Sequence, residues 1–163
     1  MSVARFANRF SSFCVYTLLL LITVEAGSLL FKRSKQFSFY AHYLLKWESA
    51  LTQLKAKDTI WPEFKGTNHI EYMDGLIKLM KAHHIDVPTS NTQCAYVWRL
   101  EKEPEIKDVF VLCMDKKIIL FGLSKSLFDR LDKQIDGEND PLRGQFNGKL
   151  QRNKGQYVGI WEI

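Results

Sequence analysis

The sequence predicts an α+β protein in which a long N-terminal helix, membrane-spanning at first and then amphipathic, packs on a small antiparallel β-sheet. Three observations support this class. An apolar run of about twenty residues lies near the start, and residues with helical apolar spacing follow it. Alternating, β-branched and aromatic segments separated by turn residues fill the C-terminal part. The hydrophobic fraction of 46% and the charged fraction of 25% are typical of a globular chain and exclude a disordered one.

The apolar run extends from Phe13 to Phe31 and has basic residues on both sides. A helix of this length crosses the hydrocarbon core of a bilayer, so we expect a retained membrane anchor. The competing interpretation is a signal peptide cleaved at residues 26–28. Apolar residues resume after that point and basic residues follow, which favours the anchor. We therefore expect a tail and transmembrane helix at residues 1–35 and a globular domain at residues 36–163.

The helical pattern continues beyond the anchor. Apolar side chains recur there at spacings of three and four, at Phe39, Tyr40, Tyr43, Leu44, Trp47, Leu51 and Leu54. We predict one helix from about Phe10 to about Lys57, and the alternative is two helices with a break within residues 32–36. A further helix is predicted over residues 70–80, with Asn68 as a candidate N-cap.

Two strands and a turn are predicted in the middle of the chain. Residues 94–100 alternate in polarity, and residues 108–113 are rich in strand-forming side chains. If Cys94 is placed opposite Cys113, the resulting register gives favourable cross-strand pairs: Trp98 with Val109, Tyr96 with Val111, Arg99 with Asp108 and Lys102 with Glu105. The pair of Glu101 with Ile106 in this register is indifferent. Because Glu103-Pro104 is a disfavoured two-residue turn, the alternative is that pairing stops earlier and leaves a longer loop.

The same register places Cys94 directly opposite Cys113. Opposed cysteines in a hairpin approach the separation that a disulfide needs, so one expectation is a disulfide between them. The other is two reduced, buried thiols. Cys14 lies within the apolar run and is expected to be a small membrane-embedded residue.

The rest of the chain predicts a strand, a short helix and a last strand. Residues 118–121 form the strand, Ser124 caps the helix and Gly137 stands where the helix ends. Residues 136–155 are rich in Gly, Asn, Asp, Lys and Gln, and we expect a long loop or an irregular strand pair. The apolar residues 157–161 are expected to dock onto the sheet as the last strand.

This architecture resembles that of the type IV pilins and type II secretion pseudopilins. Residues 16–24 look like the prepilin signature, and residues 131–141 leading to Gly144 are similar to a stretch common in minor-pilin-like proteins. The resemblance implies a pilin-like fold and a role as a minor pilin or pseudopilin in the initiation or tip assembly of a filament. It implies other pilin-like subunits and the inner membrane as partners, and a domain in the periplasm or on the cell surface.

Two positions depart from the family signature. Val15 stands where the family has the Gly before the prepilin peptidase cut, and Leu20 stands where it has a Glu that pairs with a neighbouring amino terminus. The missing Glu is compatible with a subunit at the tip. Val15 favours the alternative of an uncleaved, single-pass membrane adaptor outside any filament. The residues expected to pack between subunits are Tyr16, Thr17, Leu18, Leu19, Leu20 and Glu25.

Glu25 has two interpretations of its own. A carboxylate within a membrane span is expensive and is often functional, so it is a candidate contact for a partner subunit. The alternative is that Glu25 lies near the end of the span and reaches the interface.

Few residues are candidates for chemistry. Asp132, Asp136 and Asp140 lie in a segment with Gly and Asn and are candidate calcium ligands, with turn and helix-cap roles as the alternative. His83 and His84 are adjacent and so point about 100° apart on a helix, which disfavours one shared ion. No phosphate loop, nucleophile elbow or zinc-ligand spacing occurs, so we expect no enzyme activity and no small-molecule substrate.

The net charge of +5 permits contact with nucleic acid or anionic lipid, although most basic residues are interleaved with acidic ones. A third hypothesis is therefore a DNA-binding pilin for DNA uptake, which would use Lys149, Arg152 and Lys154. Such binding would weaken steeply with salt.

Overall fold

The observed order of elements is that of an α+β protein with an N-terminal helix. The computed structural model describes residues 3–102, 105–137, 140, 142–151 and 155–163. The helices are α1 (Val3–Phe39), α2 (Leu45–Lys55), α3 (His69–Ala82) and α4 (Lys125–Asp136), with a π-helical turn at Tyr40–Leu44. The strands are β1 (Val97–Lys102), β2 (Glu105–Met114), β3 (Lys117–Leu123), β4 (Phe146–Gln151) and β5 (Gln156–Glu162).

The chain divides into two compact units, of which the first ends at Ser38 and the second is Phe39–Ile163. Residues 32–36 are helical, so α1 has no break there. A helical element begins again directly after α1, at Tyr40, and α2 ends at Lys55.

The π-helical turn was not predicted by the apolar spacing. The N–H of Leu45 donates to the carbonyl oxygen of Tyr40, which is a bond across five residues instead of four. Tyr43 and Leu44 are both buried in this turn. After it, α2 buries the stripe that the sequence predicted, together with Ala50.

All five strands form one antiparallel sheet in the order β1-β2-β3-β5-β4. The predicted hairpin register is confirmed by the pairs Trp98 with Val109 and Arg99 with Asp108. Pairing continues to Lys102 with Glu105, so the strands do not separate earlier. The predicted last strand is β5, which lies between β3 and β4 in the sheet.

Composition predicted a long loop or an irregular strand pair over residues 136–155, and part of this segment forms β4, which pairs with β5 in one continuous register. Two glycines explain how it fits. A Cβ atom at Gly148 would overlap the ring of Phe128, and one at Gly159 would overlap the ring of Phe146. The glycines therefore leave the space that these two buried rings occupy, and the rings themselves lie 5.1 Å apart.

Aromatic side chains join the second unit's N-terminal residues to its sheet. The rings of Tyr43 and Trp98 are 4.7 Å apart, and Phe39 lies 5.8 Å from Trp98. The Tyr43 hydroxyl donates to the carbonyl oxygen of Ala95 at 2.8 Å. These contacts form one side of a core whose largest fully buried side chains also include Trp47.

Helix α4 has both predicted caps. Ser124 accepts a hydrogen bond from the N–H of Leu127 at 3.3 Å, and Gly137 adopts the left-handed conformation at the C-terminus. Asn68 precedes α3 as predicted, but its side chain does not cap the helix. It accepts instead from the N–H of Lys65 and donates to the carbonyl oxygen of Glu63, and so organises the preceding loop.

Candidate functional site

The main candidate site is the apolar part of α1. Within the described residues, one helix is long and apolar enough to cross a membrane, and its window is Phe13–Leu30. None of these 18 residues is buried within the protein. Eleven of the fifteen large apolar side chains that are exposed in the described residues lie in this window. The exposed apolar surface is therefore concentrated on this one helix.

Two polar side chains of this window form hydrogen bonds to the backbone of their own helix. The hydroxyl of Thr17 donates to the carbonyl oxygen of Phe13 at 2.9 Å, and that of Thr23 donates to Leu19 at 2.8 Å. Such bonds to the preceding turn remove the need for water as a partner. Both threonines are thus compatible with an apolar surrounding.

Glu25 is the charged residue of the window and is exposed. It forms no hydrogen bond or ion pair with any residue that the structure describes. It lies five residues before the end of the window, which corresponds to about 7 Å along the helix axis. A carboxylate at that depth requires either contact with the interface or a cationic partner from another molecule.

The other predicted packing residues are consecutive, so they surround the helix instead of forming one face. Tyr16 is 72% exposed and Leu20 is 65% exposed. Thr17, Leu18 and Leu19 are also exposed. Each side of the helix therefore presents apolar side chains to its surroundings.

The expected disulfide between Cys94 and Cys113 is wrong, since both residues and Cys14 are free cysteines. The chain turns at Cys94, whose carbonyl oxygen accepts from the N–H of Val97 at 3.1 Å, and β1 begins only at Val97. Cys94 is thereby removed from the position opposite Cys113. Cys113 is fully buried, and burial raises the pKa of its thiol.

The three candidate calcium ligands do not form a metal site. No group of three or more His, Cys, Asp or Glu side chains that could hold a metal ion occurs among the described residues. The oxygens of Asp136 accept from the backbone N–H groups of Gln145 (2.8 Å) and Phe146 (2.9 Å). Asp140 accepts from the N–H of Leu142 at 3.2 Å. These two carboxylates organise the segment after α4.

Asp132 differs from its neighbours because it is buried, with 1% of its surface exposed. Its Oδ1 atom has no hydrogen-bond partner within the described part of the chain. Burial raises the pKa of Asp132, and the negative charge of Asp136 raises it further, while a backbone hydrogen bond from Asp140 acts in the opposite direction. The side chain is therefore more easily protonated than an exposed aspartate.

The candidate nucleic-acid residues are only partly described. Lys149 is exposed on β4, whereas Arg152 and Lys154 lie outside the described residues. His84 is exposed and has a positive φ of 56° just after α3.

Sequence reasoning missed the segment that covers the edge of β1. Ser90, Asn91 and Thr92 all bond to the main chain of that strand. The succession of short polar side chains just before the strand is the signal that would have indicated this role.

Comparisons of the chain with protein-family models, with curated proteins and with solved structures yield no match. The described residues form an α+β protein with an exposed apolar helix at Phe13–Leu30.

Proposed function

We propose that this chain is a single-pass membrane protein of the pilin-like type. It acts as a minor pilin or pseudopilin-like subunit in the initiation or tip assembly of a type IV pilus or type II secretion filament. The observation that carries the proposal is the apolar window Phe13–Leu30, which is exposed on every side. Transferring a large apolar side chain out of water contributes about 1.5–3 kcal/mol. Eleven such side chains favour a membrane or a bundle of similar helices around this window.

Three further features support the filament role. The order of elements, an apolar helix, an amphipathic helical continuation and an antiparallel sheet, resembles that of pilins. Residues 16–24 are similar to the prepilin signature. Leu20 stands where the family has a Glu that pairs with the amino terminus of a neighbouring subunit. The loss of this Glu suits a subunit at the filament tip, which has no such neighbour. In this proposal other pilin-like subunits bind the helix around Tyr16–Leu20, and the domain lies in the periplasm or on the cell surface.

The second candidate function is a membrane adaptor that does not enter a filament. Val15 favours it, because this residue stands where the peptidase of the family requires Gly. Glu25 is compatible with it, since a charge at this depth suits pairing with a helix of another membrane protein.

The mature amino terminus separates the two functions. The measurement is mass spectrometry of the protein purified from its native membrane. A methylated terminus at Tyr16 is the expected result for the filament subunit. A terminus at Met1 or Ser2 in an assembly-competent protein contradicts prepilin processing and favours the adaptor.

Membrane insertion is tested separately with two matched variants in vesicle flotation. Leu19→Arg places a charge in the middle of the window and is expected to reduce the membrane-bound fraction. Leu142→Arg makes the same change at a residue that is 81% exposed in the other unit, and is expected to leave that fraction unchanged. Wild-type protein that remains in the aqueous fraction would contradict both candidate functions.

A further inference from the structure

The two edges of the sheet differ in how their main-chain groups are satisfied. Along β1, the carbonyl oxygen of Tyr96 accepts from the N–H of Val111, so residues 96, 98 and 100 face β2. The main-chain groups of Val97 and Arg99 therefore point away from the sheet, toward the open edge.

These outward groups of β1 are all occupied by the preceding segment. The N–H of Val97 donates to the carbonyl oxygen of Cys94, and its own carbonyl oxygen accepts from Thr92 at 2.8 Å. The N–H of Arg99 donates to Asn91 Oδ1 at 2.8 Å, and its carbonyl oxygen accepts from Asn91 Nδ2 at 2.7 Å. Side chains and a turn thus close this edge at Val97 and Arg99 against another strand.

Among the described residues, no strand lies beyond β4 at the other edge. The N–H of Glu162 donates to the carbonyl oxygen of Gln145, so residues 147, 149 and 151 bond to β5, and the groups of Phe146, Gly148 and Leu150 point outward. Asp136 accepts from the N–H of Phe146. Within the described residues, the outward N–H and C=O groups of Gly148 and Leu150 have no partner.

We propose that the edge of β4 binds an extended segment of another protein, which adds to the sheet as a strand and carries acidic side chains. Alternating free donors and acceptors are the groups that strand addition uses for affinity. The charged side chain within β4 is Lys149, which is exposed. Its positive charge favours a partner strand that carries acidic side chains opposite it.

The same features disfavour two other occupants. A second copy would bring a segment of the same positive charge to the edge, and an edge lysine such as Lys149 protects a strand from pairing with its own kind. A nucleic acid would use the positive charge and the N–H donors, but its phosphates have no donor for the free carbonyl oxygens of Gly148 and Leu150.

The side chains that alternate between the two faces of β4 indicate which residues fit at successive positions of the partner strand. Lys149 is exposed on one face, so acidic residues fit that face of the added strand. Leu150 is 53% exposed on the other face, so β-branched residues fit there. A suitable probe is a fluorescent peptide of sequence Thr-Glu-Val-Glu-Val-Glu-Thr.

The experiment measures the fluorescence anisotropy of this peptide with the full chain in detergent micelles. We expect saturable binding that weakens about tenfold or more in Lys149→Glu and in Leu150→Pro, a change of about 1.4 kcal/mol. Proline at 150 removes an outward N–H and no bond to β5. Lys78→Glu reverses an exposed charge on α3 and is the matched control, for which the affinity stays unchanged.

Two control peptides separate charge from main-chain pairing. A peptide with Lys in place of Glu, and an N-methylated acidic peptide that lacks donors, are both expected to bind at least tenfold more weakly. Equal binding of either peptide overturns the proposal. So does binding of a single-stranded oligonucleotide that Leu150→Pro leaves unchanged, or a dimer in sedimentation that Leu150→Pro dissociates.

Hydrogen exchange of the wild-type protein provides a readout that needs no variant. The acidic peptide is expected to slow exchange of the Gly148 and Leu150 amides, because their N–H groups become bonded. The amides of Asn147 and Lys149 already bond to β5 and are expected to keep their rates. Unchanged exchange at Gly148 and Leu150 at saturating peptide overturns the proposal. The test concerns the domain's edge alone and does not depend on the filament role.

Discussion

The carboxylate of Asp136, the last residue of α4, accepts a hydrogen bond from the backbone N–H of Phe146, the first residue of β4. Its other oxygen accepts from Gln145. One side chain therefore fixes where the edge strand begins.

Replacing Asp136 by Ala is expected to lower the free energy of unfolding by roughly 2–3 kcal/mol, because two backbone donors lose a charged acceptor. Asp136→Asn is expected to cost less, since its amide keeps one acceptor oxygen. The measurement is denaturant unfolding of the full chain in micelles. Asp129→Ala is the control, because its ion pair with Lys125 is exposed to solvent and therefore contributes little to stability. Equal losses in the two Ala variants would contradict the role of Asp136.

Alanine substitutions at Gly144 and Gly137 separate two effects on stability: steric overlap of the added Cβ atom and strain of the left-handed backbone. Both have positive φ, of 98° and 81°. A Cβ at Gly144 would overlap the carboxylate of Asp136, whereas one at Gly137 would meet no atom within 4 Å. We expect Gly137→Ala to cost about 1–2 kcal/mol for the left-handed conformation alone, and Gly144→Ala to cost more. The comparison uses the same unfolding measurement, and a smaller loss for Gly144→Ala would contradict this packing.

Asp132 is expected to make stability depend on pH. Burial raises its pKa in the folded state above the ordinary value of 3.8, so the folded protein binds this proton more tightly than the unfolded chain. The ionised side chain therefore lowers stability at neutral pH, and this cost disappears as the pH falls toward 3.8. We expect Asp132→Asn to raise the free energy of unfolding at pH 7, with a smaller gain at lower pH. A gain that does not change with pH would contradict a titrating Asp132.

The cysteines are expected to react as three free thiols of different accessibility. Peptide mapping by mass spectrometry after alkylation should show modification of half-buried Cys94 before that of buried Cys113. Burial also raises the pKa of Cys113 and so lowers its thiolate fraction. Unfolding should expose both thiols to alkylation without a reductant. A mass two units lower, restored by reductant, would indicate the disulfide that the structure lacks.

Several features of the domain could be predicted from sequence because they depend on neighbours along the chain. Ser124 and Gly137 begin and end α4 through bonds to residues three and four positions away. The hairpin register was also accessible, since the charges of Arg99 and Asp108 fit opposite each other in the same alignment that pairs Trp98 with Val109. Their ion pair is 2.9 Å long, and it lowers the pKa of Asp108 through the hydrogen bond from Arg99.

Of the candidate site, only the apolar helix could be predicted, because amino-acid composition alone is enough to recognise it. An apolar helix such as Phe13–Leu30 is recognisable because its length and polarity do not depend on contacts elsewhere. The predicted disulfide was wrong because the turn at Cys94 depends on the bonds of Thr92 and Val97 and not on strand alternation.

The sequence by itself determined the apolar helix, the α+β class, the hairpin register and the caps of α4, because each depends on local periodicity or on short-range hydrogen bonds. Tertiary structure alone decided that β4 lies beside β5 and that Asp136 fixes its first residue. It also decided that Asn91 occupies the outward groups of Arg99 at one edge of the sheet, while those of Gly148 and Leu150 at the other edge have no partner among the described residues. These features join residues that are not periodic neighbours, and only the folded chain brings their main-chain groups together.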